Sequence, residues 1–119
     1  MNVLLVDDEV AIRKMVTLML QSGGFRVFEA ADGAAALALF QEHPIDLLVT
    51  DVVMEGMDGW TLARAAAERR AELPVLFMSG YPVGFENFRR QHGRCAFLPK
   101  PFLKGELIGA ITELAATPV

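Results

Sequence analysis

Short apolar runs and longer stretches of mixed polarity alternate along the whole chain. Runs of strand length lie at 3–6, 47–49, 75–77 and 96–98, with a weaker one at 27–28. Each is too short for a helix and lacks polar alternation, which predicts strands covered on both faces. Between them the spacing predicts helices over 10–21, 34–42, 60–70, 86–92 and 104–115. Gly23-Gly24 stops the first helix, Asp32 is placed to cap the second and Pro44 marks its end. Buried strands alternating with helices imply a parallel sheet with right-handed crossovers, hence a three-layer α/β sandwich. In the first helix Ile12, Val16 and Met19 form a core stripe. Ala11, Met15 and Leu18 form a second stripe one position behind, which by itself reads as a wider core contact.

A length of 119 residues fits one domain, 1–119, and 53% hydrophobic against 22% charged residues suffices for a core. Residues 115–119 are expected to fray. A net charge of −4 lacks the basic surface that direct nucleic-acid binding needs. Cys95 is the one cysteine, so no internal disulfide forms; flanked by Ala96, Phe97 and Leu98, it reads as a small buried hydrophobe in a cytoplasmic protein. No apolar run approaches the ~20 residues of a spanning helix, so no membrane insertion by this chain is expected. His43 and His92 fall near predicted helix C-termini, where exposure and the helix dipole suit imidazole.

Four strands end in polar groups: Asp7-Asp8 after the first, Asp51 after the third, Ser79 after the fourth and Lys100 after the fifth. In an open parallel sheet these carboxyl ends share one edge, where ligands bind. Aspartates brought together there repel, and one would protonate unless a cation intervened. Hard oxygen donors without histidine or thiolate favour Mg²⁺. Lys100 supplies a mobile charge and Ser79 a hydroxyl donor, the groups needed beside a metal to neutralise phosphoryl oxygens. Asp51 is then the nucleophile, forming an acyl phosphate.

At these residues the chain resembles the receiver domain of two-component response regulators. The resemblance rests on Leu4-Leu5-Val6-Asp7-Asp8-Glu9, on Asp51-Val52-Val53-Met54 through Met57-Asp58-Gly59, on Met78-Ser79-Gly80-Tyr81 and on Leu98-Pro99-Lys100-Pro101-Phe102. It implies a flavodoxin-like, doubly wound (βα)5 fold with strand order 2-1-3-4-5. It implies Asp51 as phosphoacceptor, Asp8 and Asp51 as direct Mg²⁺ ligands, Asp7 acting through water and Val53 donating its backbone carbonyl. Ser79 and Lys100 match the phosphate-contacting pair, Phe97 the aromatic switch, and Lys100-Pro101 a bond usually cis in the family. The first helix, here with Ala11, Met15 and Leu18, docks in the family against the donor of the phosphoryl group, and Phe102 joins that surface. Residues 81–92, with Phe85, Phe88, Arg89 and Arg90, match the region that reads out phosphorylation. The implied function is a phosphorylation switch in a phosphorelay rather than an enzyme. Its implied partners are a histidine kinase or histidine phosphotransfer protein, with a phosphorylation-dependent homodimer or a downstream protein as output. The Ser-Gly-Tyr and Pro-Lys-Pro-Phe segments look most like receivers of hybrid histidine kinases or single-domain regulators.

Two positions depart from the family pattern. Glu55 stands where proline is usual, which loosens the loop, adds a negative charge and implies weaker Mg²⁺ binding or altered partner contact. Val53 and Tyr81, two residues beyond Asp51 and Ser79, orient water poorly and imply slow self-hydrolysis of phospho-Asp51. Two other classes share features with the chain. A flavodoxin-like electron carrier needs a Ser/Thr/Gly phosphate loop after the first strand, and a haloacid-dehalogenase-type phosphatase needs an acid where Val53 stands.

Overall fold

A computed structural model describes residues 1–80 and 83–116. Five strands, β1 (Asn2–Val6), β2 (Arg26–Ala30), β3 (Leu47–Asp51), β4 (Val75–Ser79) and β5 (Cys95–Pro99), form one parallel sheet in the order β2-β1-β3-β4-β5. They alternate with α1 (Val10–Ser22), α2 (Gly33–Glu42), α3 (Gly59–Arg69), α4 (Phe85–Gln91) and α5 (Lys104–Ala116). This is the flavodoxin-like α/β arrangement. Among the described residues no helix is long and apolar enough to cross a membrane.

Successive side chains on a strand point to opposite faces, and the core divides accordingly. Val3, Leu5, Leu47, Val49, Leu76 and Met78 pack with Val16 and Leu20 of α1 and Leu107, Ile111 and Leu114 of α5. Leu4, Val6, Leu48, Val75 and Phe77 face the other way, onto Ala36, Leu62, Ala63, Ala66 and Phe88 of α2, α3 and α4. The helix ends follow local chemistry: Gly23 closes α1 with Gly24 at φ +90°, a conformation open to glycine. Asp32 and Asp58 each accept a 2.8 Å bond from the backbone N–H three residues on, capping α2 and α3.

Four expectations change. β2 runs five residues, not two, because Arg26 and Glu29 interrupt its apolar pattern at the edge of the sheet. Ala115 belongs to the last turn of α5 instead of fraying; Thr117 to Val119 lie outside the described residues. His92 is buried, its Nε2 2.9 Å from the Leu73 carbonyl and its ring beside Phe88. Cys95 is only half-buried; its thiol donates to the His92 carbonyl at 3.3 Å, and desolvation pushes its pKa up to about 11.

Candidate functional site

The register brings the strand ends into line. Val6 lies beside Thr50, Asp51 beside Met78 and Ser79 beside Pro99. Asp51 and Ser79 are the final residues of β3 and β4, and Asp7 and Lys100 each follow a strand directly. Residues as far apart in sequence as Asp7 and Lys100 therefore meet at one edge, with Lys100 Nζ 3.0 Å from Asp7 Oδ2 and 3.4 Å from Asp51 Oδ2. One carboxylate oxygen each from Asp7, Asp8 and Asp51 lies within 4.8 Å of the others. Asp7 and Asp51 are buried and Asp8 is exposed, so the cluster opens to solvent on the Asp8 side.

Each anchor restricts what its side chain can do. Asp51 Oδ1 accepts a 2.8 Å bond from Val52 N–H, leaving Oδ2 toward Lys100. Asp7 Oδ1 accepts from Glu9 N–H at 2.9 Å. Asp8 Oδ2 receives a long 3.4 Å bond from Glu55 N–H, a donor that proline at position 55 would lack. Ser79 is buried, and its carbonyl accepts from Lys100 N–H at 2.9 Å, tying the end of β4 to the lysine.

Charge and burial oppose one another here. Burial pushes the Asp51 carboxyl above its ordinary 3.8; Lys100 pulls it back, and Asp7 adds to the rise. Burial works against the Lys100 ammonium, but the hydrogen bond and charge of Asp7, then the charge of Asp51, outweigh it and hold its pKa above 10.5. Three carboxylates beside one ammonium leave excess negative charge, which a cation would offset. Among the described residues no histidine or cysteine joins this cluster, and an all-oxygen donor set suits a hard divalent ion.

The remaining sequence candidates fall around this edge. Val53 is 70% exposed, and Tyr81 lies outside the described residues. Phe97 is half-buried, its ring 5.7 Å from Phe85, which in turn lies 6.4 Å from Phe77. Phe88 is buried while Arg89 and Arg90 are exposed, separating side chains that sequence left open. The Lys100-Pro101 peptide is cis. Ala11, Met15 and Leu18 are all exposed, Leu18 to 67%, so the wider core contact is not made. Val16 and Leu20 carry the α1 contact with the core, with Ile12 and Met19 at its margin. Met15 and Ile12 instead line a cavity of about 270 Å³ with Lys100, Pro101 and Phe102.

Two contributors escaped the sequence reading. A Cβ at Gly59 would lie 2.2 Å from the Asp51 carbonyl oxygen, so the start of α3 approaches the Asp51 backbone as only glycine can. Its place in Met57-Asp58-Gly59 was a signal, but not of that contact. Arg13 donates to the Asp7 carbonyl at 2.8 Å, a contact between a helix side chain and a strand-end peptide that no motif signals.

Comparison with known proteins agrees with this geometry. Residues 3–112 match the family described as Response regulator receiver domain. The sensor kinase CckA of Brucella abortus is 39% identical over 116 residues, 95% of this chain but 12% of that protein. The response regulator receiver protein CpdR of the same organism is 34% identical over 114 residues, 95% of each chain. Among solved structures, the receiver domain of the hybrid histidine kinase CckA is 37% identical with a TM-score of 0.81, covering 97% of this chain and 99% of that one. The chemotaxis protein CheY4 of Vibrio cholerae is 31% identical with a TM-score of 0.88, covering 95% and 97%.

Proposed function

The chain belongs to the response regulator receiver domain family, and from that premise we propose that Asp51 accepts a phosphoryl group from a phosphohistidine donor and thereby switches partner binding. The observation that carries the reading is the placement of Lys100 Nζ between Asp7 and Asp51, beside a third carboxylate. One cation already balances part of this charge, and the Val52 bond engages Asp51 Oδ1 while Oδ2 faces Lys100.

In the transfer the phosphorus–nitrogen bond of the donor breaks as an Asp51 carboxylate oxygen bonds to phosphorus. The imidazole nitrogen leaves with the bonding pair, and the attacking form of Asp51 is the carboxylate anion, which has no proton to lose. Asp7, Asp8, Asp51 and the Val53 carbonyl would hold Mg²⁺, which when bound supplies positive charge against the phosphoryl oxygens. Lys100 and the Ser79 hydroxyl donate to those oxygens, and Lys100 exchanges one carboxylate for the phosphoryl group. Phe97, packed on Phe85, follows Ser79 and passes the change to α4.

The donor, a histidine kinase or phosphotransfer protein, docks on Ala11, Met15 and Leu18, whose apolar side chains stand in solvent, and on the half-buried Phe102, which lines the neighbouring cavity with Met15. Intact mass with Mg²⁺ and a small acyl phosphate tests the central claim. Wild type should gain one phosphoryl group and Asp51→Ala none; no added mass on wild type overturns the reading.

A further inference from the structure

Every polar atom of Asp7 is held. Its N–H donates to the Ala30 carbonyl at 3.2 Å, Oδ1 accepts from Glu9 N–H at 2.9 Å and Oδ2 from Lys100 at 3.0 Å. The Asp7 carbonyl accepts from Arg13 Nη1 at 2.8 Å. The same guanidinium reaches β2 through Nε, 3.1 Å from Glu29 Oε1, and Lys14 Nζ lies 3.4 Å from the other Glu29 oxygen. The Arg13 side chain is 13% exposed.

The Asp7 carbonyl belongs to the peptide that joins Asp7 to Asp8. Asp8 itself is exposed and receives a 3.4 Å bond from Glu55. A weakly tethered carboxylate takes its direction from the peptide before it, and that peptide is fixed by Arg13. We propose that Arg13, braced by Glu29, is a positioning residue that sets the Asp7–Asp8 peptide so that the carboxylates converge on a divalent cation. The inference rests on the proposed cation site of the phosphoryl-transfer reading. The guanidinium reaches its two acceptors from separate nitrogens of one rigid fork, whereas a lysine would have to serve both from a single ammonium nitrogen on a flexible stem, so lysine cannot replace it in full.

The test is Mg²⁺ affinity by titration calorimetry, joined to initial phosphorylation rates across Mg²⁺ concentrations. Arg13→Met should weaken Mg²⁺ binding about tenfold or more, the scale seen when groups that orient metal ligands are removed. Its rate should recover at saturating Mg²⁺, Arg13→Lys should restore only part of the affinity, and far-UV circular dichroism should match wild type. Mg²⁺ affinity in folded Arg13→Met within about twofold of wild type, far short of the expected loss, overturns the proposal. Should Arg13→Met not fold, Glu29→Gln, which loosens the brace and keeps an acceptor, carries the same test: several-fold weaker binding supports the proposal and unchanged affinity overturns it. Wild type that binds Mg²⁺ yet gains no phosphoryl group would overturn the proposed function alone.

Discussion

At the scale of single residues, Asp51 is a carboxylate that folding makes harder to ionise. Burial raises its pKa above 3.8 despite Lys100, so the folded chain binds this proton more tightly than the unfolded chain does. Stability therefore falls as pH rises from 3.8 through the raised value. Asp51→Asn keeps the shape and removes the charge. Without Mg²⁺ it should melt at a higher temperature than wild type at pH 7 and lose that advantage below pH 3.8. Equal melting temperatures at pH 7 would show that the carboxylate carries no net cost. Lys100 acts in another window: its raised pKa gives stability that is complete below 10.5 and lost only as pH climbs through the raised value. Val53, 70% exposed and apolar, offers no group to hold an attacking water near Asp51. Phospho-Asp51 should therefore hydrolyse slowly; decay followed by intact mass with a half-life of seconds would refute this.

At the scale of elements, α1 divides its labour between two faces. Val16 and Leu20 are buried against the sheet, while Met15 and Leu18 stand in solvent, Met15 lining the cavity with Pro101 and Phe102. Exposed positions away from caps and networks usually change stability by less than about 0.5 kcal/mol. Leu18→Lys should leave the melting temperature nearly unchanged, slow transfer from a phosphohistidine protein and leave labelling by a small acyl phosphate intact. Equal slowing with both donors would move Leu18 out of the docking surface. The same helix shows the limit of periodicity: a second apolar stripe reads alike whether it faces core or solvent, because burial depends on how far the sheet reaches under it. His92 shows the converse. A polar residue at a helix end reads as exposed, but the Leu73 carbonyl and the Phe88 ring enclose it.

At the scale of the whole molecule, the fold concentrates negative charge at one sheet edge, and a ligand of that edge should stabilise everything beneath it. Mg²⁺ binding only the folded state adds about 2.7 kcal/mol at a hundredfold excess over its dissociation constant. The melting temperature of wild type should rise with Mg²⁺ concentration, and that of Asp51→Asn less, by differential scanning calorimetry; no rise in wild type would argue against a cation at this edge. The sequence by itself determined the alternation of strand and helix, the two-sided core and the polar residues that follow four of the five strands, because apolar run length and helix caps are local properties. It also determined that Asp7, Asp8, Asp51, Ser79 and Lys100 share an edge, since parallel strands place their carboxyl ends together. Tertiary structure alone decided which aspartates are buried, that Lys100 bridges two of them, that Gly59 touches the Asp51 backbone and that Arg13 joins Asp7 to Glu29. Those contacts cross between elements, and their distances depend on strand register and helix packing, which no local pattern of residues encodes.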